Sequence, residues 1–415
     1  MTTGVRPGPG GGAIAFIVTW VAYATYYLGR KGFAVSKVRI AGELGLSKGT
    51  LASIETGYLA AYACGQFVNG ALGDRLGARR LVALGMWGSA LACAVFGSTP
   101  LVAVMFAAFA CNGFFQSTGW PGTTKGMSEW TAPERRGEVM GFWCTCYQAG
   151  GVLAIAACTF LLGHFGWRAA FRIPAIAIAA VGLLVFVLLR PGPYRSAAPT
   201  ATSSGQAQWA LLSHPVIWSY GLSYFFIKLI RYSFLFWVPY YLATAVGFSE
   251  LKAGYLSTSF EAGGILGAVA IGLVSDRLPR WSRAGVAAVS LVGLAAALLL
   301  YAWLAPRQAV AQFFLVALIG CLLVGPDSLL SGAAAQEAGG PDAAALAAGF
   351  VNGVGSVGAL LQGWVTVGIQ SVWGWSALFY VFVALALLAA VSLLPGIRMT
   401  RRGVTNKPAG ANPER

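Results

Sequence analysis

The chain has 415 residues, of which 57% are hydrophobic and only 10% are charged. A soluble domain carries roughly 25% charged residues, so this composition excludes an ordinary soluble enzyme and predicts a helical membrane protein. The formal net charge of +15 does not argue for nucleic-acid binding, because the basic residues fall in short segments between apolar runs, where membrane proteins place them. The cysteines show neither metal-ligand spacing nor the pattern of a disulfide framework.

Apolar runs of membrane-spanning length recur along the chain and predict about twelve transmembrane helices. Their predicted limits are 12–33, 51–73, 80–98, 101–123, 138–163, 168–190, 215–244, 252–274, 283–304, 310–333, 344–370 and 373–395. The segment after the sixth run is rich in Pro, Ser and Ala, which is typical of a linker. We therefore predict an N-terminal six-helix half at 1–190, a cytoplasmic linker at 191–214, a C-terminal six-helix half at 215–397 and a basic cytoplasmic tail at 398–415.

Lysine and arginine residues concentrate in alternate loops. This bias predicts a multi-pass protein of the inner or plasma membrane with both termini in the cytoplasm. The predicted first outer loop is an exception, since it contains Lys31, Lys37, Arg39 and Lys48. Two interpretations stay open for that loop: a basic outer vestibule that attracts anions, or a solvated loop without such a role.

Landmarks of the first half recur in the second half at an offset of about 200 residues, as expected for two parallel repeats. The matched pairs are Arg30 with Arg231, Asp74-Arg75 with Asp276-Arg277, Pro121 with Pro326, Gly141-Phe142 with Gly349-Phe350, and Trp167 with Trp375. Their common register indicates duplication of a six-helix unit. Many secondary transporters are built from two such repeats and bind substrate at the interface of the repeats.

Two arginines interrupt apolar runs, Arg30 in YYLGRKGF and Arg231 in KLIRYSFLFW. An arginine at the centre of a membrane helix costs roughly 2.5–3.5 kcal/mol on insertion scales, so such residues are expected to have a partner. No acidic residue near either arginine in the sequence offers itself. Two inward-facing guanidinium groups, one from each half, therefore predict a midplane binding site for an anion.

The loop after the second span reads G-x-x-x-D-R-x-G-x-R-R and is similar to a motif of the major facilitator superfamily. Acidic and basic side chains at helix ends can pair and cap those ends, which would hold the two halves in one state. We predict such a conformational latch at Asp74, Arg75, Asp276 and Arg277. The alternative is that these charges serve only to set the topology.

Further segments carry a more specific resemblance: YYLGRK in the first span, NGFFQSTGWPGTTKGMSEW around the fourth, LIRYSFLFWVPYYL in the seventh, FEAGG in the eighth and GPDSLLSGAAAQEA in the tenth. Over nearly its whole length the chain resembles the organophosphate:phosphate antiporters of the major facilitator superfamily. The resemblance implies an all-α membrane protein with twelve transmembrane helices in two six-helix repeats. It also implies exchange of a sugar phosphate or glycerol-3-phosphate for inorganic phosphate by alternating access, with Arg30 and Arg231 on the phosphate group.

The chain departs from this family at two positions. Gln66 stands where members commonly carry a lysine, and Tyr147 stands where the glycerol-3-phosphate transporters carry a histidine. Lys228 lies one helical turn before Arg231, on the same face, and can restore the positive charge lost at Gln66. These departures leave anion transport as the expectation and keep the identity of the substrate open.

Other polar and aromatic residues in apolar runs complete the predicted site. Glu261 is expected to neutralise Arg231 or Lys228, or else to carry a proton. Asp327 is a weaker candidate for substrate selection, since the helix break at Pro326 can bring it to solvent. The predicted substrate-binding residues are Arg30, Arg231, Lys228, Tyr27, Gln66, Trp120, Tyr147, Gln148 and Glu261.

Neither a nucleotide-binding G-x-x-x-x-G-K-[ST] motif nor a nucleophile–base constellation is present in the sequence. We therefore expect neither an enzyme nor a cofactor, and no metal site. The expected partners are a small anionic substrate and the lipid bilayer, with a monomer as the functional state. Two other functions stay open: a transporter-like sensor of an external organophosphate, and a proton-coupled symporter of a phosphonate or carboxylate.

Overall fold

The computed structural model describes residues 11–132, 136–194, 214–277, 282–304 and 308–398, and the regular elements in these ranges are all helices. The α-helices in chain order are α1 Gly11–Tyr26, α2 Leu28–Leu44, α3 Lys48–Phe96, α4 Val102–Gln116, α5 Gly119–Ser128, α6 Arg136–Trp143, α7 Thr145–Phe165, α8 Ala169–Leu188, α9 Pro215–Thr244, α10 Glu250–Arg277, α11 Arg283–Leu304, α12 Ala309–Leu329 and α13 Ala335–Ser392. A π-helical turn, Leu330–Ala334, connects α12 to α13. The prediction of an all-α protein is confirmed.

Ten helical stretches within the described residues are long and apolar enough to cross a membrane. Two of the longest helices are interrupted by a glycine with positive φ, a conformation that other residues rarely adopt. Gly77 divides α3 (φ 76°) and Gly374 divides α13 (φ 82°). The break at Gly374 divides one of the ten stretches, Ala347–Arg398, into two parts. The part of α3 before Gly77 is long enough to cross a membrane but is more polar than the ten stretches. The number twelve stays a prediction.

Helix α2 continues to Leu44, so the predicted first outer loop is wrong. Lys31 and Lys37 lie on α2 and are only 3% and 0% exposed. Each of these lysines is paired with a buried carboxylate, which explains how both can be buried. Only residues 45–47 separate α2 from α3, where the Ser47 hydroxyl accepts a hydrogen bond from the Thr50 backbone N–H at 3.0 Å and caps the next helix.

The chain divides into two compact units. Unit 1 combines the first 200 residues with 235–261 and 363–368, and unit 2 contains the remainder. Parts of α9, α10 and α13 thus belong to unit 1. The six-helix halves stay a prediction, as do the linker at 191–214 and the tail at 398–415, most of which lie outside the described residues.

Helices α10 and α12 pack closely within unit 2. A Cβ atom at Gly263 would lie 1.9 Å from the Ala317 carbonyl oxygen, and one at Gly267 would lie 1.9 Å from that of Cys321. Glycines four residues apart allow this approach of two backbones, which is how membrane helices gain van der Waals contact. This contact positions α12, the helix that carries Asp327.

Candidate anion-binding site

Arg30 lies in the first turn of α2, in unit 1. Its Nε–H donates to Oε1 of Gln116 at 3.0 Å, and the Tyr58 hydroxyl donates to the same oxygen at 3.1 Å. The Gln116 amide nitrogen in turn donates to the Tyr26 backbone carbonyl at 2.9 Å. These hydrogen bonds hold the Gln116 side chain, and through it the guanidinium, in one orientation.

Aromatic rings flank the Arg30 guanidinium. Its central carbon lies 4.6 Å from the centroid of Tyr27 and 5.4 Å from that of Tyr62, within cation–π range. Among the described residues, no carboxylate pairs with Arg30, and its terminal amino groups make no hydrogen bond. A guanidinium with both amino groups available can hold two oxygens of a phosphate or carboxylate at once.

The sequence predicted that Glu261 neutralises Arg231 or Lys228, or else carries a proton, but in the structure Glu261 pairs with Lys31. The Lys31 Nζ donates to Oε1 of Glu261 at 2.6 Å, and both side chains are buried in unit 1. The Glu261 carboxylate lies against Gly151 of α7, where a Cβ atom would be only 2.9 Å from Oε1. The acid predicted for the unit 2 cations is therefore a counter-ion for the residue next to Arg30.

Gln148 lies one turn before Gly151 on the same face of α7. It is 5% exposed, and neither its amide nitrogen nor its amide oxygen has a hydrogen-bond partner among the described residues. Leaving a buried polar group without a partner costs about 1–3 kcal/mol. Gln148 therefore offers both a donor and an acceptor to a polar ligand.

Trp120 belongs to an aromatic cluster of unit 1. Its ring centroid lies 5.5 Å from Tyr23 and 5.8 Å from Trp143, and Tyr147 packs against the same cluster. Trp120 itself is 38% exposed. Gln66, by contrast, is partly buried on α3, and the structure records no hydrogen bond between it and Arg30.

Arg231 is on α9 and lies in unit 2 with Lys228. Its NH1 group forms a buried ion pair with Oδ2 of Asp327, a residue of α12. Lys228 Nζ donates to Oδ1 of Asn352 on α13 at 2.8 Å and lies 5.2 Å from the Tyr224 ring centroid. The three helices α9, α12 and α13 thus supply the neighbours of the two cations.

Asp327 is the acidic partner that the sequence alone did not reveal for Arg231. The expectation that Pro326 would bring Asp327 to solvent is wrong, because the residue stays helical and is 4% exposed. The partners lie 96 positions apart, so a search of the neighbouring sequence could not find the pair. The sequence did contain a signal for this pair, because Arg231 and Asp327 each lie in an apolar run and such an acid and base are expected to pair.

A second buried ion pair in unit 1 was not predicted. Lys37 on α2 pairs with Glu55 on α3, and both side chains are fully buried. The Lys37 ammonium also lies 3.7 Å from the ring centroid of Trp237. Glu55 stands inside the predicted second span, so its position in an apolar helix could have indicated a basic partner.

The structure leaves the proposed latch largely undescribed. Arg75 and Arg277 are exposed, near the break in α3 and at the end of α10. The side chains of Asp74 and Asp276 lie outside the described part of the chain. Within the described residues, no group of three or more His, Cys, Asp or Glu side chains could hold a metal ion.

The sequence profile of the Major Facilitator Superfamily matches residues 19–363. Sugar phosphate exchanger 3 of Xenopus laevis is 28% identical over 93% of this chain and 92% of its own. A probable hexose phosphate transport protein of Chlamydia pneumoniae is 26% identical over 94% of this chain and 92% of its own. A putative glycerol-3-phosphate transporter 3 of Arabidopsis thaliana is 29% identical over 91% of this chain and 85% of its own. The predicted resemblance to organophosphate antiporters is confirmed.

A solved structure has the same fold. The crystal structure of a bacterial homologue of the human lysosomal transporter Spinster, inward-facing and unoccupied, aligns with a TM-score of 0.75. It is 16% identical and covers 94% of this chain and 99% of that chain. The family and these relatives are transporters, which bears out the expectation that the chain is not an enzyme.

Proposed function

Because this chain belongs to the Major Facilitator Superfamily, we propose that it exchanges an organophosphate for inorganic phosphate by alternating access. The proposed substrate is of the sugar phosphate or glycerol-3-phosphate type, the classes named in its relatives. The observation that carries the proposal is Arg30, a part-buried guanidinium without a carboxylate partner among the described residues. Such a group favours an anionic ligand that can accept two hydrogen bonds.

The proposed binding residues contribute positive charge, hydrogen bonds and aromatic surface. Arg30 and Arg231 bind the phosphate group, and Lys228 adds a second positive charge beside Arg231. Tyr27 holds the Arg30 guanidinium against its ring. Gln148 hydrogen-bonds the ligand through its amide, and Trp120 and Tyr147 offer aromatic surface to the carbon skeleton. Gln66 and Glu261 complete the proposed set, with Glu261 acting through Lys31.

We test the proposal by measuring efflux of radiolabelled phosphate from proteoliposomes challenged outside with glycerol-3-phosphate or hexose phosphates. In the wild-type protein, one organophosphate is expected to accelerate efflux. Arg30→Lys is expected to reduce stimulated efflux at least about 100-fold, because an ammonium cannot replace the bidentate guanidinium.

Arg168→Lys is the matched control, since Arg168 is a surface arginine with a long contact to Glu43 at 3.3 Å. It is expected to exchange at the wild-type rate. Normal exchange by Arg30→Lys would contradict the assignment of Arg30 to phosphate.

We further propose that the protein is a functional monomer in the inner or plasma membrane with both termini in the cytoplasm. The distribution of lysine and arginine supports this orientation. Cysteine residues introduced near each end and labelled from one side of intact cells would test the orientation. Labelling of either end by an impermeant reagent from outside would contradict it.

A second candidate function is proton-coupled anion symport, because Glu55 and Glu261 are carboxylates buried within unit 1 and proton relays use such groups. A pH gradient alone would then drive uptake without phosphate on the opposite side. Sensing without flux, the remaining alternative, would show ligand binding but no stimulated efflux.

A further inference from the structure

The two arginines assigned to phosphate have different partners. Arg30 contacts an amide oxygen, that of Gln116, whereas Arg231 contacts a carboxylate, that of Asp327. The side chains of Arg231 and Asp327 are 13% and 6% exposed, so water screens their attraction only weakly. Arg231 therefore already has an anion bound through its NH1 group before any substrate arrives.

The Asp327 carboxylate is held mainly by Arg231. Its Oδ2 accepts from Arg231, while its Oδ1 is buried and has no hydrogen-bond partner among the described residues. The backbone of Asp327 is anchored separately, through its carbonyl oxygen, by the Ser331 hydroxyl at 2.7 Å. Moving the carboxylate would thus break the ion pair without undoing that backbone hydrogen bond.

The charges around this pair favour an anion. Arg231 and Lys228 contribute two positive charges within one turn of α9, and Asp327 contributes one negative charge. Lys228 donates to the neutral amide of Asn352. A phosphate attracted by Arg231 and Lys228 would approach a guanidinium, that of Arg231, which the Asp327 carboxylate already contacts.

We propose that Asp327 is an internal counter-ion that competes with the substrate phosphate for Arg231 and thereby sets the affinity of the transporter for anions. This inference rests on the proposed function, which assigns Arg231 to phosphate. Anion binding exchanges one oxyanion for another on the same guanidinium, so the gain in free energy is only the difference between the two contacts. Asp327 also supplies Arg231 with a counter-ion when no substrate is bound, which offsets the cost of a buried single charge.

The test measures phosphate binding by the melting temperature of the purified protein across a phosphate titration, from which Kd follows by linkage. Asp327→Asn keeps the shape of the side chain and removes its charge. It is expected to lower the melting temperature without phosphate and to bind phosphate about tenfold more tightly, equivalent to about 1.4 kcal/mol. Ser328→Ala, on the same helix, removes a hydroxyl bonded to the Gly325 carbonyl and is expected to leave Kd unchanged.

A double-mutant cycle separates competition from a structural role. In an Arg231→Gln background, Asp327→Asn is expected to give no gain in phosphate affinity, because the contested guanidinium is absent. An equal gain in both backgrounds, or unchanged or weaker binding in the single variant, would overturn the proposal. A purely structural Asp327 would lower the melting temperature without tightening binding.

Poor folding of Asp327→Asn does not remove the test. Phosphate should replace the missing counter-ion, so the yield of folded protein is expected to rise in phosphate relative to gluconate at equal ionic strength. Equal yields in the two salts would overturn the proposal. Wild-type protein that phosphate does not stabilise would overturn both this inference and the proposed function, whereas wild-type stabilisation without an effect of Asp327→Asn would overturn only the inference.

Discussion

Three buried ion pairs are present among the described residues, and each pair joins two helices. Lys31 pairs with Glu261 and Lys37 pairs with Glu55 in unit 1, and Arg231 pairs with Asp327 in unit 2. A lone charge in an apolar setting loses its hydration without compensation, whereas a pair recovers part of that loss by attraction. Arg30 differs, since an amide and two aromatic rings surround it.

The Lys37–Glu55 pair gives the first prediction at this scale. Glu55→Gln leaves the Lys37 ammonium buried without a carboxylate and is expected to destabilise the protein by about 3–5 kcal/mol. The melting temperature in detergent is the measurement. Lys37→Met combined with Glu55→Leu removes both charges and is expected to recover most of the lost stability.

Glu250→Gln serves as the control for this prediction. Glu250 pairs with Arg39 at 3.1 Å, but that arginine is nearly half exposed, and such a surface pair is worth about 0–1 kcal/mol. Similar melting temperatures for Glu250→Gln and Glu55→Gln would show that burial of the Lys37–Glu55 pair does not matter to stability.

Among the helices, the close contact of α10 with α12 positions Asp327 for Arg231. The approach depends on Gly263 and Gly267, which leave no room for a Cβ atom beside the facing carbonyl oxygens. Pro326 interrupts the hydrogen-bond ladder of α12, and a π-helical turn follows at Leu330–Ala334. Irregular helical segments of this kind are frequent at functional sites.

Gly267→Ala tests the packing of α10 on α12. The added methyl group would meet the Cys321 carbonyl at 1.9 Å, so the two helices must separate, at a cost of typically 1–3 kcal/mol. Thermal unfolding measures the cost, and phosphate affinity is expected to change with it, because α12 carries Asp327.

Gly272→Ala is the matched control on the same helix, since a Cβ atom there meets nothing within 4 Å. It is expected to be neutral or slightly stabilising, because alanine favours a helix over glycine by about 1 kcal/mol. Equal losses from the two substitutions would contradict the assignment of the Gly267→Ala loss to the close contact with Cys321, because Gly272 has no such contact.

At the scale of the whole molecule, each compact unit carries one of the two arginines with a neighbouring lysine. Arg30 adjoins Lys31 in unit 1, and Arg231 lies one turn from Lys228 in unit 2. Lys31 and Arg231 each have a carboxylate partner, whereas Arg30 contacts the amide oxygen of Gln116. An uncompensated positive charge in the unloaded protein would disfavour conformational change until an anion binds, and this reason for strict exchange applies to Arg30.

This charge distribution predicts that phosphate leaves loaded proteoliposomes several times faster when an exchangeable anion is present outside. Conformational change is expected to be slow while the Arg30 guanidinium has no anion, because its charge is then uncompensated. Efflux into medium with and without external phosphate, at zero pH gradient, is the measurement. Equal rates would contradict exchange and favour uniport, while acceleration only by a pH gradient would favour proton symport.

Local properties of the chain were predictable from sequence. The limits of α9 and α11 match the predicted spans at 215–244 and 283–304, because a long apolar run ends where polar residues begin. The end of α2 was not predictable in this way. Lys31 and Lys37 suggested a solvated loop, whereas both are buried on α2 and paired with Glu261 and Glu55.

The sequence by itself determined the class of molecule, the resemblance to phosphate antiporters and the identity of Arg30 and Arg231 as unusual residues. These conclusions need only composition, helix-length hydrophobicity and motif spacing, all of which are readable along one dimension. Only the tertiary structure decided which acid neutralises which base. The partners are 230 positions apart in Lys31–Glu261 and 96 apart in Arg231–Asp327, and Coulomb attraction depends on distance in space rather than on separation in sequence.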